Sequence, residues 1–100
     1  MIHIHPVDLI TKVENLRIGE QLIYYIGALA EDGNVKPNGK LIKATGIIAW
    51  DMHEENIVFL MNRKLKIGGY DYILVKRGNI KIPITIINKA RLLQERYTDC

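Results

Sequence analysis

The stretch Asn56-Ile57-Val58-Phe59-Leu60-Met61-Asn62-Arg63-Lys64-Leu65-Lys66-Ile67-Gly68-Gly69-Tyr70-Asp71-Tyr72-Ile73-Leu74-Val75-Lys76-Arg77 decides the fold class. An apolar run, Ile57 to Met61, leads into Arg63, Lys64 and Lys66, and the chain turns at Gly68-Gly69. It returns through Tyr70, Tyr72, Ile73, Leu74 and Val75 to Lys76-Arg77. Two runs of β-formers around a short glycine-containing loop read as a β-hairpin. Residues 57–66 are expected to pair antiparallel with 70–77, the turn lying near Ile67 to Gly69. The cations gather at the turn and at the far end, as on a hairpin that faces a polyanion.

Upstream, Leu41, Ala44, Ile48 and Met52 recur at helical spacing and define one buried stripe, broadened by Ile42 and Ala49. This predicts a helix from Asn38 or Gly39 to about Glu54, with Lys40, Lys43, Ile47 and Trp50 toward another face. Glu31 to Gly39 holds Asp32-Gly33-Asn34 and Pro37-Asn38-Gly39, two turn signals that predict a loop. Gln21 to Ile26 is rich in β-formers and ends near Gly27, which favours a strand, although Ala28-Leu29-Ala30-Glu31 could extend it as a helix; the strand is the reading taken. Before it, Val7, Leu9, Ile10, Val13 and Leu16, with Pro6 at the start and Gly19 past the end, predict a helix over about residues 7–17. Downstream, Ile80 to Ile86 alternates like a strand, but Pro83 argues against a central strand. Ile87, Ala90, Leu93 or Gln94, and Tyr97 then follow a helical period, which predicts an extended lead-in and a helix starting between Pro83 and Ile87 and ending near Tyr97. The expected fold is α+β: helix, strand, helix, hairpin and C-terminal helix. Residues 1–82 form the domain, and 83–100 pack on it or serve dimerisation.

One hundred residues allow one core, and 48% apolar residues argue against disorder. No apolar run approaches the roughly 18 residues of a membrane helix, and Met1 to Pro6 lacks a signal-peptide pattern, so a cytoplasmic protein is expected. The single cysteine, Cys100, excludes an intramolecular disulfide.

The net charge of +3 conceals segregation. Lys36, Lys40 and Lys43 form one basic block, and Arg63, Lys64, Lys66, Lys76, Arg77 and Lys81 another. Between them Asp51, Glu54 and Glu55 make an acidic break. Lysines in the first half of the second helix can reach phosphate, whereas its other end repels it, so a nucleic acid is expected to approach the amino-terminal half.

Catalytic signals are weak. His3 and His5 would project on one side if extended, but no cysteine and no further histidine before His53 completes a metal set, and an exposed terminus is expected. His53-Glu54 begins like a zinc-protease motif, yet Ile57 stands where the second histidine must be. Asp51, Glu54 and Glu55 are expected to be solvated turn residues rather than acid–base groups. The chain has no serine, and Gly33 and Gly39 do not form a phosphate-binding P-loop. No enzyme activity and no cofactor or metal is expected. Tyr24, Tyr25, Tyr70, Tyr72 and Phe59 are expected to pack in the core or between strands rather than to stack on bases.

The order of elements, with the segments Leu16 to Tyr25 and Phe59 to Arg77, resembles small winged-helix proteins of phages and prophages. The resemblance covers about residues 7–77 and is reduced by one helix unless the 31–40 loop holds a short one. It implies a recognition helix carrying Lys40 and Lys43, and a wing bearing Arg63, Lys64 and Lys66, with Lys76 and Arg77 as further basic contacts to double-stranded DNA. No arginine, asparagine or glutamine lies between Lys40 and Met52, so phosphate contacts are expected rather than base reading. Ile47, Trp50, Ile86, Ala90, Leu93 and Tyr97 are the candidate interface residues for a homodimer. The alternative is a phage-encoded protein-interaction module that inhibits a host nucleic-acid enzyme or defence complex, with Trp50, Ile47 and the acidic cluster as its interface.

Overall fold

In the computed structural model, which describes residues 3–98, the hairpin forms from β2 (Val58–Lys64) and β3 (Tyr70–Lys76), paired from Val58 with Lys76 to Lys64 with Tyr70. Its turn closes through Gly68 N–H to the Leu65 carbonyl and Leu65 N–H to the Gly69 carbonyl. Gly68 and Gly69 both take positive φ, +95° and +79°, which a side chain would resist. β1 (Gln21–Gly27) lies on the other side of β3, with an irregularity between Ile23 and Tyr25, giving an antiparallel sheet of order β1-β3-β2. The central position goes to β3 because its Ile73 and Leu74 are both buried, whereas β2 exposes most of its length.

Four helices complete the α+β fold among the described residues: α1 (Pro6–Asn15), α2 (Leu29–Val35), α3 (Gly39–Glu54) and α4 (Ile84–Thr98). The expected stripe of α3 is buried, since Leu41, Ile42, Ala44, Ile48, Ala49 and Met52 all lie in the interior. The helix stops at Asn56, whose φ of +62° turns the chain. Asn56 N–H bonds the His53 carbonyl and Ile57 N–H the Met52 carbonyl, and the buried Ile57 and Met52 provide the hydrophobic side of this C-terminal motif.

The loop expected over Glu31 to Gly39 is corrected: residues 29–35 are helical. Tertiary contacts supply what the local sequence lacks. The Tyr72 hydroxyl accepts from Leu29 N–H at 3.0 Å across the fold, and within the segment the Asp32 carboxylate reaches back to accept from Ala28 N–H at 3.3 Å, so two amides at the helix start are satisfied although Ala28 has no capping side chain. Asp32 also accepts from the Tyr25 hydroxyl. Gly33, read as a turn signal, is a close-packing residue: a Cβ on Gly39 would lie 2.3 Å from the Gly33 carbonyl oxygen, and one on Gly33 would lie 2.6 Å from Lys43 Cγ.

α4 docks on its own domain. Its start is set by the Pro83 carbonyl, which accepts from the N–H groups of Ile86 and Ile87. The Gln94 side-chain oxygen accepts from Val7 N–H at 2.8 Å, supplying α1 with a cap from the far end of the chain, and Lys89 Nζ reaches Asp51 Oδ2 at 2.9 Å. Ile86 and Ala90, proposed from sequence as interface residues, are corrected: both are buried in the core with Leu9, Ile10 and Met52. Leu93 packs against that core and Tyr97 is half-buried. Among the described residues no helix is long and apolar enough to cross a membrane. Cys100 lies outside the described residues.

Candidate nucleic-acid interface

The basic residues divide into those that face solvent and those the fold consumes. Lys64 and Lys66 are exposed at the hairpin tip, and between Lys66 and Gly68 stands Ile67, 95% exposed. Arg63 also faces solvent, but its guanidinium donates from Nε and Nη2 to Asp71 Oδ2 at 3.1 and 2.5 Å. These two residues are directly paired across β2 and β3, and Asp71 is buried, so Arg63 balances a carboxylate that burial would otherwise penalise. Arg63 is therefore first a structural partner of Asp71.

Lys76 leaves the set of phosphate contacts. It is only 5% exposed, and its Nζ donates to the Val13 carbonyl at 2.7 Å near the end of α1. There the ammonium satisfies a terminal carbonyl and complements the negative end of the helix. Sequence periodicity places Lys76 beside the exposed Arg77, and nothing local tells the two apart. Arg77 lies over the Phe59 ring, 4.2 Å from its centroid, and donates to Asn56 Oδ1 at 3.0 Å. It remains exposed, at the end of the sheet away from the tip.

Lys40 and Lys43 are exposed on α3 as the helical period requires, and the α2–α3 pair brings Lys36 to them. These three lysines line one hollow of about 430 Å³ around the turn Lys36-Pro37-Asn38, with Tyr97 on its rim. Lys40 Nζ sits 5.9 Å from the Tyr97 ring centroid, a cation–π placement, and Lys36 stands 3.9 Å from Asp32. The N-terminus of α3 opens at the same place, so the positive end of the helix and three lysines share it. Lys36 was absent from the sequence-derived set because the predicted loop left its direction undefined.

Strand register relates the two basic blocks. The tip follows Lys64, whereas α3 ends at Glu54 just before Val58, so Asp51, Glu54 and Glu55 belong to the opposite end of the sheet. At the tip end, a Cβ on Gly69 would meet the Gly27 carbonyl oxygen at 3.2 Å, and Gly27 leads directly into α2. Leu29 then packs on Gly46, one turn beyond Lys43. The chain thus runs from the hairpin turn to α3 through a short series of contacts, with the acidic cluster held away.

Farther along the same exposed stripe of α3 the chemistry changes. Ile47 is 42% and Trp50 53% exposed, and with Leu29, Ala30 and Gly46 they line an apolar groove of about 510 Å³ between α2 and α3. Trp50 tilts against His53, ring centroids 5.1 Å apart.

His3 is not the free end expected from its position. It forms a bridge with Tyr25, and its Nε2 lies 3.0 Å from the buried Thr45 hydroxyl, which donates to the Ile4 carbonyl at 2.9 Å. Burial, reinforced by neighbouring His5, pushes the His3 imidazole down to about 4. Among the described residues no three His, Cys, Asp or Glu side chains group to hold a metal ion. Burial pushes the Tyr24 phenol up to about 12, and burial with the Asp32 hydrogen bond raises that of Tyr25. Tyr24 and Tyr25 are core residues, while Phe59 and Tyr70 retain substantial exposure. Comparison with protein-family models, curated proteins and solved structures finds no match to this chain.

Proposed function

We propose that this chain is a non-catalytic winged-helix protein that binds double-stranded DNA chiefly through its phosphates. The observation that carries the reading is the convergence of Lys36, Lys40 and Lys43 on one hollow at the start of α3. α2, a three-residue turn and α3 have the connectivity of a helix-turn-helix, and β1-β3-β2 presents the hairpin as a wing. Lysines act as point charges, and the α3 face lacks the side chains that read base edges, so affinity is salt-sensitive and only weakly dependent on sequence.

The experiment is binding to a random duplex across a salt series. Lys40→Ala with Lys64→Ala and Lys66→Ala leaves Arg63 on Asp71 and the fold intact. The triple variant binds more weakly, and the slope of log affinity against log salt falls by about 0.9 for each phosphate that is no longer neutralised. A wild-type chain with no duplex binding at about 50 mM salt, or a triple variant with unchanged affinity and slope, overturns the proposal. The second reading, a protein-interaction module acting on a nucleic-acid enzyme, is favoured by one observation: Trp50 and Ile47 stand exposed on the helix that would enter DNA.

A further inference from the structure

We infer that the exposed stripe of α3 is the contact surface of a homodimer in which two α3 helices pair antiparallel, each Trp50 entering the other copy's α2–α3 groove. The residues of that stripe are Lys43, Ile47, Trp50 and Glu54, on one helical face at spacings of four, three and four. The sequence is self-complementary about its centre, between Ile48 and Ala49. A twofold axis through that point sets Ile47 against Trp50 of the second copy and Lys43 against Glu54 of the second copy. Both charged residues stand about 8 Å along the helix from the axis, on opposite sides, so the match occurs twice in one isologous contact.

The surroundings fit that occupant. Lys43 and Glu54 are exposed, and neither has an ion-pair partner among the described residues, whereas Asp51 on the next face is held by Lys89. The groove, lined by Leu29, Ala30, Gly46, Ile47 and the same copy's Trp50 together with Asn34 and Lys43, is about 510 Å³, which admits a second indole beside the first. An acidic partner would meet Glu54 and a basic one Lys43, but a second copy offers the opposite charge at both ends. The contact goes beyond the DNA-binding proposal and draws on part of the same helix, so dimer and duplex compete for Lys43. Dimerisation without DNA is measured independently of that proposal.

The test is sedimentation equilibrium under reducing conditions with the wild-type chain, Lys43→Glu, Glu54→Lys and an equimolar mixture of the two variants. Trp50 is the only tryptophan, so its emission reports the same equilibrium. Wild type sediments at twice the 11.5 kDa chain mass at on the order of 100 μM, and Trp50 emission shifts to the red on dilution. Each single variant opposes like charges at both ends and dissociates about tenfold more readily or worse. The mixture restores the dimer, because a Lys43→Glu chain and a Glu54→Lys chain match at both ends. A monomeric wild type at that concentration, single variants that dimerise normally, or a mixture that stays monomeric overturns the inference. Far-UV circular dichroism of the variants identifies any that fail to fold, and recovery of the dimer on mixing cannot come from unfolded chains.

Discussion

His3 illustrates how burial gives a role to a residue that its position leaves unmarked. Its ring lies near Thr45 and edge-on to Tyr25, with centroids 5.6 Å apart, so the neutral imidazole is the form the fold accommodates. The folded value falls to about 4 from the ordinary 6.5. Between those limits the unfolded chain binds a proton that the folded chain excludes. Stability from this group is therefore complete above about pH 6.5 and declines as pH falls toward about 4. Urea midpoints at pH 7 and pH 5 should differ for the wild type, and His3→Gln should narrow that difference. An unchanged difference would show that His3 does not carry it. Lys76 and Arg63 give the related lesson for charge, since one caps α1 and the other balances Asp71.

At the scale of elements, the α2–α3 crossing depends on two glycines. With the Gly33 carbonyl oxygen only 2.3 Å from where a Gly39 Cβ would stand, Gly39→Ala forces the helices apart, because the obstacle is backbone and cannot rotate away. Overpacking of this kind costs about 1–3 kcal/mol. Thermal or urea unfolding should show Gly39→Ala destabilised within that range, while Gly68→Ala acts only through its positive φ, with nothing within 4 Å of its Cβ. A neutral Gly39→Ala would mean that the helices can separate freely. The separation would also move Lys36 relative to Lys40 and Lys43, linking this crossing to the basic hollow.

Across the whole molecule, α4 completes the core. Removing residues 83–100 uncovers the sites filled by Ile86 and Ala90, deletes the Gln94 cap of α1 and breaks the Lys89–Asp51 pair. Loss of a large buried side chain alone costs about 2–5 kcal/mol, a large part of a small domain's stability. The truncated chain should aggregate or lose cooperative unfolding by circular dichroism. A soluble truncation with full stability would show that α4 adds little to the core.

Local pattern determined most elements of this protein. The 57–77 hairpin, the buried stripe of α3 and the β1 strand were legible because apolar periodicity and glycine turns act over a few residues. The exposed Lys40, Lys43, Ile47 and Trp50 followed from the same period. Tertiary structure decided what depends on partners distant in sequence. α2 is a helix because Tyr72, 43 residues away, accepts its Leu29 amide, and because Gly33 admits Gly39. Lys76 is buried because Val13, 63 residues away, offers a carbonyl, and Ile86 and Ala90 are core because α4 folds back over α1 and α3. A polar or charged side chain reads alike in sequence whether water or a distant backbone group satisfies it; only the folded chain chooses between them.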